Sequence, residues 1–294
     1  MRSLSAPQIA ALSCVMEVMC PKPGNVGPGR PFKYINDVMF LASALGLAEA
    51  FGAEGASVGV MAEGAARAAK LRTGRNTNLG MILLLAPLVK ASARGEATRA
   101  DVREVLESLT DDDSRGVCEA IRIASPEGLG GSERYDVRGE TPPIVDAMRY
   151  ASRWDSVARE YASGYEITFE RTSPRLAAYW SEGRGLKICV LQTYLGLLAE
   201  LPDTLIERKL GRAAAEKVST GASEVLARGG AFTREGQEMI AAFDVSLAHP
   251  NNLYNPGTTA DLIAAGLFVF LSKELREGGL PPILERWEGD GCAE

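Results

Sequence analysis

Residues 99–113, RADVREVLESLTDDD from Arg99 to Asp113, decide how the whole chain is read. Val102, Val105, Leu106 and Leu109 recur at three- and four-residue spacing, which puts them on one face of a helix. Thr110-Asp111-Asp112-Asp113 then offers oxygen acceptors and negative charge, the chemistry that suits the open N–H groups of a following helix. One helix therefore hands over to the next within a few residues.

The same spacing recurs along most of the sequence. It predicts helices at Pro7–Met19, Asn36–Phe51, Ser57–Leu71, Leu79–Ala93, Arg99–Leu109, Arg115–Ala124, Pro143–Ser163, Pro174–Ser181, Leu186–Leu201, Leu205–Arg228, Arg234–Ala248 and Pro256–Leu275. Ala, Leu, Glu and Arg dominate these segments, and all favour helices. Thr204-x-x-Glu207 matches a capping box. Pro87 should kink or divide its helix. Alternating β-branched runs are nearly absent; Glu166-Ile167-Thr168-Phe169 is the best strand candidate, and its setting is helical. Ser125–Pro142 is the longest irregular stretch, and no linker or repeat stands out. The expectation is an all-α fold, a single multi-helical domain over residues 1–294, with its site where helix termini converge.

The totals narrow the function. The chain has 294 residues, 46% of them hydrophobic, so a large core is available. A net charge of −6 argues against a general nucleic-acid binder, though not against a local phosphate pocket. Five cysteines (Cys14, Cys20, Cys118, Cys189, Cys292) show no metal or disulfide spacing. His249 is the single histidine, which excludes a histidine cluster. The apolar runs Leu79–Val89 and Leu262–Leu271 are short for a bilayer of about 30 Å. The first residues lack a leader pattern. A cytoplasmic protein without nucleic-acid or membrane partners is expected.

P-loop, Rossmann and GxSxG signatures are missing. What remains is a set of polar turns at helix ends. In Pro21-Lys22-Pro23-Gly24-Asn25-Val26-Gly27, proline stops the preceding helix and the glycines allow a tight turn and close ligand approach. Lys22 adds a cation, and Glu17 lies one helical turn earlier. Arg72-Thr73-Gly74-Arg75-Asn76-Thr77-Asn78-Leu79-Gly80 sets arginines and small polar residues before a very apolar helix, a ready anion site. In Asn251–Asp261, Asn255 and Pro256 start a helix on which Thr258 and Asp261 share a face. Capping alone accounts for the polar residues of Leu201–Lys209, and Asp155 with Arg159 reads as a surface pair.

Together these segments resemble the triphosphoribosyl-dephospho-CoA synthase family. The resemblance rests on PKPGNV at Pro21–Val26, Asp37 with Phe40 and Ser43, and NTNLG at Asn76–Gly80. It continues through GLG with a following Asp-Val at Gly128–Val137, DSVAREYASG at Asp155–Gly164, DTLIERK at Asp203–Lys209 and NPGTTADL at Asn255–Leu262. NTNLG, where citrate-lyase-type members carry NTHKG, and Tyr34-Ile35-Asn36-Asp37, which lacks their histidine, look more like the archaeal and methylotroph branch.

The resemblance implies an all-helical transferase that joins the triphosphoribosyl part of ATP to the ribose 2′-hydroxyl of 3′-dephospho-CoA and releases adenine. Such chemistry passes through an oxocarbenium-like centre that a carboxylate can stabilise, and the attacking hydroxyl needs a base. Asp37, Asp261 and Glu17 are the catalytic candidates. Lys22, Arg75 and Lys209 are candidates for phosphate binding, with Gly24, Asn25, Asn76, Thr77, Asn255, Gly257 and Thr258 as further substrate-binding residues. Mg²⁺ bridging phosphates to Asp37 and Asp261 is expected. The partners implied are ATP and dephospho-CoA, and a homo-oligomer is compatible with them. Two alternatives stay open: a related transferase serving a tetrahydromethanopterin-type one-carbon carrier, and a non-catalytic nucleotide-binding helical protein.

Overall fold

The computed structural model describes residues 4–125 and 134–288. Gly128–Gly131 and Cys292 lie outside them. Fifteen α-helices occupy the described residues: α1 (Ala6–Met19), α2 (Asp37–Phe51), α3 (Val58–Thr73), α4 (Leu79–Ala91), α5 (Arg99–Glu107), α6 (Asp111–Ala124), α7 (Ile144–Ala151), α8 (Ser156–Ser163), α9 (Ser173–Ser181), α10 (Leu186–Glu200), α11 (Thr204–Leu210), α12 (Arg212–Ala227), α13 (Arg234–Leu247), α14 (Gly257–Glu277) and α15 (Leu280–Glu285). No strand forms among them; one isolated bridge joins Gly27 and Arg30. The expected all-α class is what the chain adopts.

The core is built on α14. Leu262 to Leu271 are all buried, so this helix is wrapped on every side, which a continuous apolar run requires. α1, α4, α9 and α10 pack around it, while α2, α3 and α6 extend the bundle outward from α1. The buried apolar side chains form one continuous cluster.

Pro87 does not divide α4. A proline leaves the carbonyl four residues earlier without its partner. Here the Tyr161 hydroxyl donates to the Leu83 carbonyl at 2.7 Å, and the Tyr165 hydroxyl donates to the Leu84 carbonyl at 2.9 Å. Two phenols from a neighbouring segment thus satisfy the interior of a helix that proline would otherwise break.

Two long predicted helices are each two. Pro143–Ser163 splits because Asp155 turns back as an N-cap, its Oδ1 accepting from Val157 and Ala158 N–H. Leu205–Arg228 splits at Gly211, whose φ of +86° favours glycine. Glu166–Phe169 is helical and runs into a π turn at Thr168–Thr172. Its start is held by the buried Glu160 carboxylate, which accepts from Ile167 and Thr168 N–H. The short α15 was not foreseen. These breaks matter because Asp155 and α11 both end up at the site.

Candidate active site

A cavity of about 840 Å³ opens where the C-terminus of α1 meets the N-termini of α4, α8, α11 and α14. Helix starts concentrate positive dipole ends, so their convergence suits anionic groups. The polar turns singled out in the sequence meet here. Glu17 and Asn25 line the cavity, with Arg75, Asn76 and Thr77 from the second turn, Lys209 from α11, and Asn255, Gly257, Thr258 and Asp261 from the last.

Asp261 sits at the floor. Its carboxylate accepts from the Met81 N–H in the first turn of α4. It also presses on Gly80, where a Cβ would stand 2.0 Å from Oδ2. Burial and the charges of Glu17, Asp203 and Asp155 push the Asp261 carboxyl well above the usual carboxylate range. Burial likewise raises Glu17, although Lys22 opposes it.

Asp203, 2% exposed, is a joint beneath this floor. Its Oδ1 accepts from Leu205 and Ile206 N–H at the start of α11, at 2.9 and 3.1 Å. Its Oδ2 accepts from the Thr259 N–H and hydroxyl at the start of α14, at 2.7 and 2.8 Å. One carboxylate thereby fixes the helix carrying Arg208 and Lys209 against the helix carrying Thr258 and Asp261. Asn25 is oriented in the same manner: its amide donates to the Tyr194 hydroxyl at 2.9 Å, which donates to the Pro23 carbonyl at 2.7 Å.

Three sequence candidates lie elsewhere. Lys22 is fully buried, and its ammonium sits 2.8 Å from a Glu17 carboxylate oxygen. It also donates to the Glu17 carbonyl and, at 2.7 Å, to the Cys20 carbonyl. All three protons serve the end of α1, so Lys22 is corrected from phosphate ligand to internal counter-charge. Gly24 does not line the main cavity. Its φ of +75° and its approach to Leu247 and Pro256, 2.9 Å from a would-be Cβ, let the first turn dock on the last. Its N–H donates to Asp244. Asp37 is also not in the wall, although Ile35 and Phe40 on either side of it are. The carboxylates that weigh most on Asp261 are Glu17, Asp203 and Asp155.

Sequence reasoning missed Lys70 and Arg208, which line the cavity with the expected cations Arg75 and Lys209. Arg75 lies over the Tyr34 ring, 5.0 Å from its centroid, and Arg208 reaches Asp155 at 3.4 Å. Asp155 had read as a partner of Arg159; the N-cap position before Ser156 was the signal of its real role. Apolar side chains of α6, α7 and α8 also line the cavity, beside Tyr135 and Trp154. Among the described residues no group of three or more His, Cys, Asp or Glu could hold a metal unaided. No described helix is long and apolar enough to cross a membrane.

Comparison with known proteins places these features in a sequence context. The family model described as ATP:dephospho-CoA triphosphoribosyl transferase (CitG) matches residues 4–279. A protein of Pseudomonas fluorescens strain Pf-5, named "probable 2-(5''-triphosphoribosyl)-3'-dephosphocoenzyme-A synthase", is 29% identical over 197 residues, 67% of this chain and 60% of that protein. A Pseudomonas aeruginosa UCBPP-PA14 protein of the same name is 30% identical over 229 residues, 76% of this chain and 67% of that protein. The Klebsiella pneumoniae 2-(5''-triphosphoribosyl)-3'-dephosphocoenzyme-A synthase is 29% identical over 213 residues, 70% of this chain and 66% of that protein. The matched region thus spans 60% of the first relative's length. A crystal structure of an Archaeoglobus fulgidus protein assigned as a triphosphoribosyl-dephospho-CoA synthase superposes with a TM-score of 0.60 at 27% identity, covering 79% of this chain and 98% of that one.

Proposed function

We propose, given that this chain belongs to the ATP:dephospho-CoA triphosphoribosyl transferase family, that it moves the 5-triphosphoribosyl group of ATP to the ribose 2′-hydroxyl of 3′-dephospho-CoA. The observation that carries the reading is one cavity with two opposed charges. Lys70, Arg75, Arg208 and Lys209 line it together with Glu17, Asp155 and Asp261, and Arg208 reaches Asp155 at 3.4 Å. A triphosphate needs the first set, and a ribose C1′ that becomes positive needs the second. The residues act as one helical unit, in the cytoplasm.

In the step proposed, the C1′–N9 bond of ATP breaks and a C1′–O2′ bond forms. Adenine departs with the electron pair of the broken bond and takes up a proton. Asp261 faces the reacting carbon, stabilises its developing charge and takes the proton of the attacking hydroxyl. In the empty cavity Asp261 is crowded by like charges; a cationic centre arriving beside it relieves that repulsion, so the stabilisation is largest when C1′ is most positive. Asn76 and Thr77 at the start of α4, and Asn255 and Thr258 at the start of α14, supply polar groups for the ribose and phosphates. Lys22 acts through Glu17, and Gly24 through the docking of the two turns.

Mg²⁺ fits this donor set as an ion that enters with the triphosphate. Asp261, with Glu17 or Asp155 beside it, would hold it from the protein side, and phosphate oxygens and water would complete its ligands. It would supply charge neutralisation at the phosphates.

The test is adenine release from ATP, followed by chromatography with and without dephospho-CoA. Adenine formed in equal amount to a triphosphoribosylated acceptor supports the reading. ATP left intact, or cleaved only between phosphates, overturns it.

A further inference from the structure

The phosphates and ribose account for the charged side of the cavity. The other side has a different chemistry. α7 presents Ile144, Ala147, Met148 and Ala151 to the cavity, at positions i, i+3, i+4 and i+7, and α6 adds Ile121 and Ala124. Such a stripe normally faces a core. Here Ile144, Met148 and Ala124 are buried in the core, while Ala147, Ala151 and Ile121 keep partial exposure on the cavity that also holds the charged residues, and the stripe runs about 10 Å along the helix.

The edge of this bay is aromatic. Trp154 and Tyr135 both line the cavity, and Trp154 is 44% exposed. Tyr150 links them edge to face, its ring 5.1 Å from Trp154 and 5.7 Å from Tyr135. Arg153 and Arg134 each lie 5.7 Å from the Tyr150 ring centroid, and Arg134 also lies 5.1 Å from that of Tyr135. Tyr135 adopts φ +58°, an uncommon left-handed conformation for an aromatic residue. Asp136, next to it, also lines the cavity, with its carboxylate held by Arg138 at 2.8 Å.

Flat, π-rich ligands suit such surroundings: apolar methyl groups beside them and aromatic rings at one edge. An acyclic chain with amide groups would bury donors and acceptors against methyl groups, at a cost. We propose that the bay between α6 and α7, edged by Trp154 and Tyr135, is a purine-base subsite. This rests on the nucleotide reading of the cavity. The base comes from the donor or from the acceptor nucleotide, which share the same ring chemistry.

Two variants test it, Ala147→Leu to fill the bay and Trp154→Ala to remove its edge, with Trp154→Phe as the conservative control. Binding of adenosine and of inorganic tripolyphosphate is measured by calorimetry, alongside melting temperature. The expected result is adenosine affinity weakened at least 10-fold in the first two variants and kept within about 3-fold in Trp154→Phe, with tripolyphosphate affinity unchanged. Unchanged adenosine affinity in both variants, no adenosine binding by the wild type, or equal loss of both ligands at unchanged melting temperature overturns the proposal. Steady-state kinetics then separate the sources. A raised KM for ATP alone assigns the donor's base, and a raised KM for dephospho-CoA alone assigns the acceptor's. Should transfer be absent while Trp154-dependent adenosine binding persists, the transferase reading falls and the subsite stands.

Discussion

Gly80 and Asp261 are in direct contact: a Cβ at Gly80 would stand 2.0 Å from Oδ2 of the carboxylate. The second residue of α4 is therefore the seat of the floor carboxylate, and hydrogen is the only side chain that fits. Alanine in a helix is worth about 1 kcal/mol over glycine. Gly80→Ala is nevertheless expected to lower the melting temperature, because Asp261 must leave the Met81 N–H. Its kcat should fall at least 10-fold, with a smaller change in KM for ATP. A raised melting temperature with normal kcat would show that the contact does not position Asp261.

Lys22 is expected to matter for folding more than for phosphate. Lys22→Met keeps the volume but leaves Glu17 buried without its counter-charge. Breaking a buried pair from one side costs about 3–5 kcal/mol. Urea unfolding should show a loss of that size, while the surviving folded fraction keeps its affinity for tripolyphosphate. Normal stability combined with a large loss of tripolyphosphate binding would return Lys22 to the ligand set.

The contrast between Lys22 and Arg75 shows what the sequence could tell. Both looked like cations on polar turns. Arg75 follows a helix whose last turn is exposed, and it stays at the cavity. Lys22 follows a buried helix end, where the Glu17 and Cys20 carbonyls and the Glu17 carboxylate consume its protons. A glutamate inside an apolar stripe, five residues before a lysine, was the legible trace of that burial. Helices were readable from spacing because most were capped by Ser, Thr, Asp or Asn. The breaks at Asp155 and Gly211 were not, since the apolar spacing continues through them. The purine bay was hidden for a related reason: a stripe facing a cavity and a stripe facing a core have the same periodicity. The convergence of the turns depended on long-range packing, such as Gly24 on Pro256, that no local pattern encodes.

The ligand-free protein should lose stability as pH rises from about 5 to 7.5. Burial raises Glu160 from 4.5 to about 7. Asp203 is raised as well, by burial first. A carboxyl raised in the folded state holds a proton that the unfolded chain has released. Its contribution is full below the unfolded pKa and is lost as pH climbs through the folded one. For Glu160 alone this amounts to about 3 kcal/mol at 1.36 kcal/mol per pKa unit. Melting temperature should fall across this range, and Glu160→Gln should flatten the slope. A melting temperature that rises between pH 5 and 7.5 would contradict the buried-carboxyl picture.

Asp261→Asn, measured in a single turnover for adenine release from ATP in the presence of dephospho-CoA, probes the chemistry at the floor of the cavity most directly. The substitution removes one of the mutually repelling carboxylates and keeps the size of the side chain. Adenine release is expected to fall about 10²-fold or more, in the range typical of acid–base groups. The ligand-free melting temperature should hold or rise, because charge repulsion is relieved. Release at the wild-type rate together with a lowered melting temperature would make Asp261 a structural cap for α4 and contradict its place at the reacting carbon.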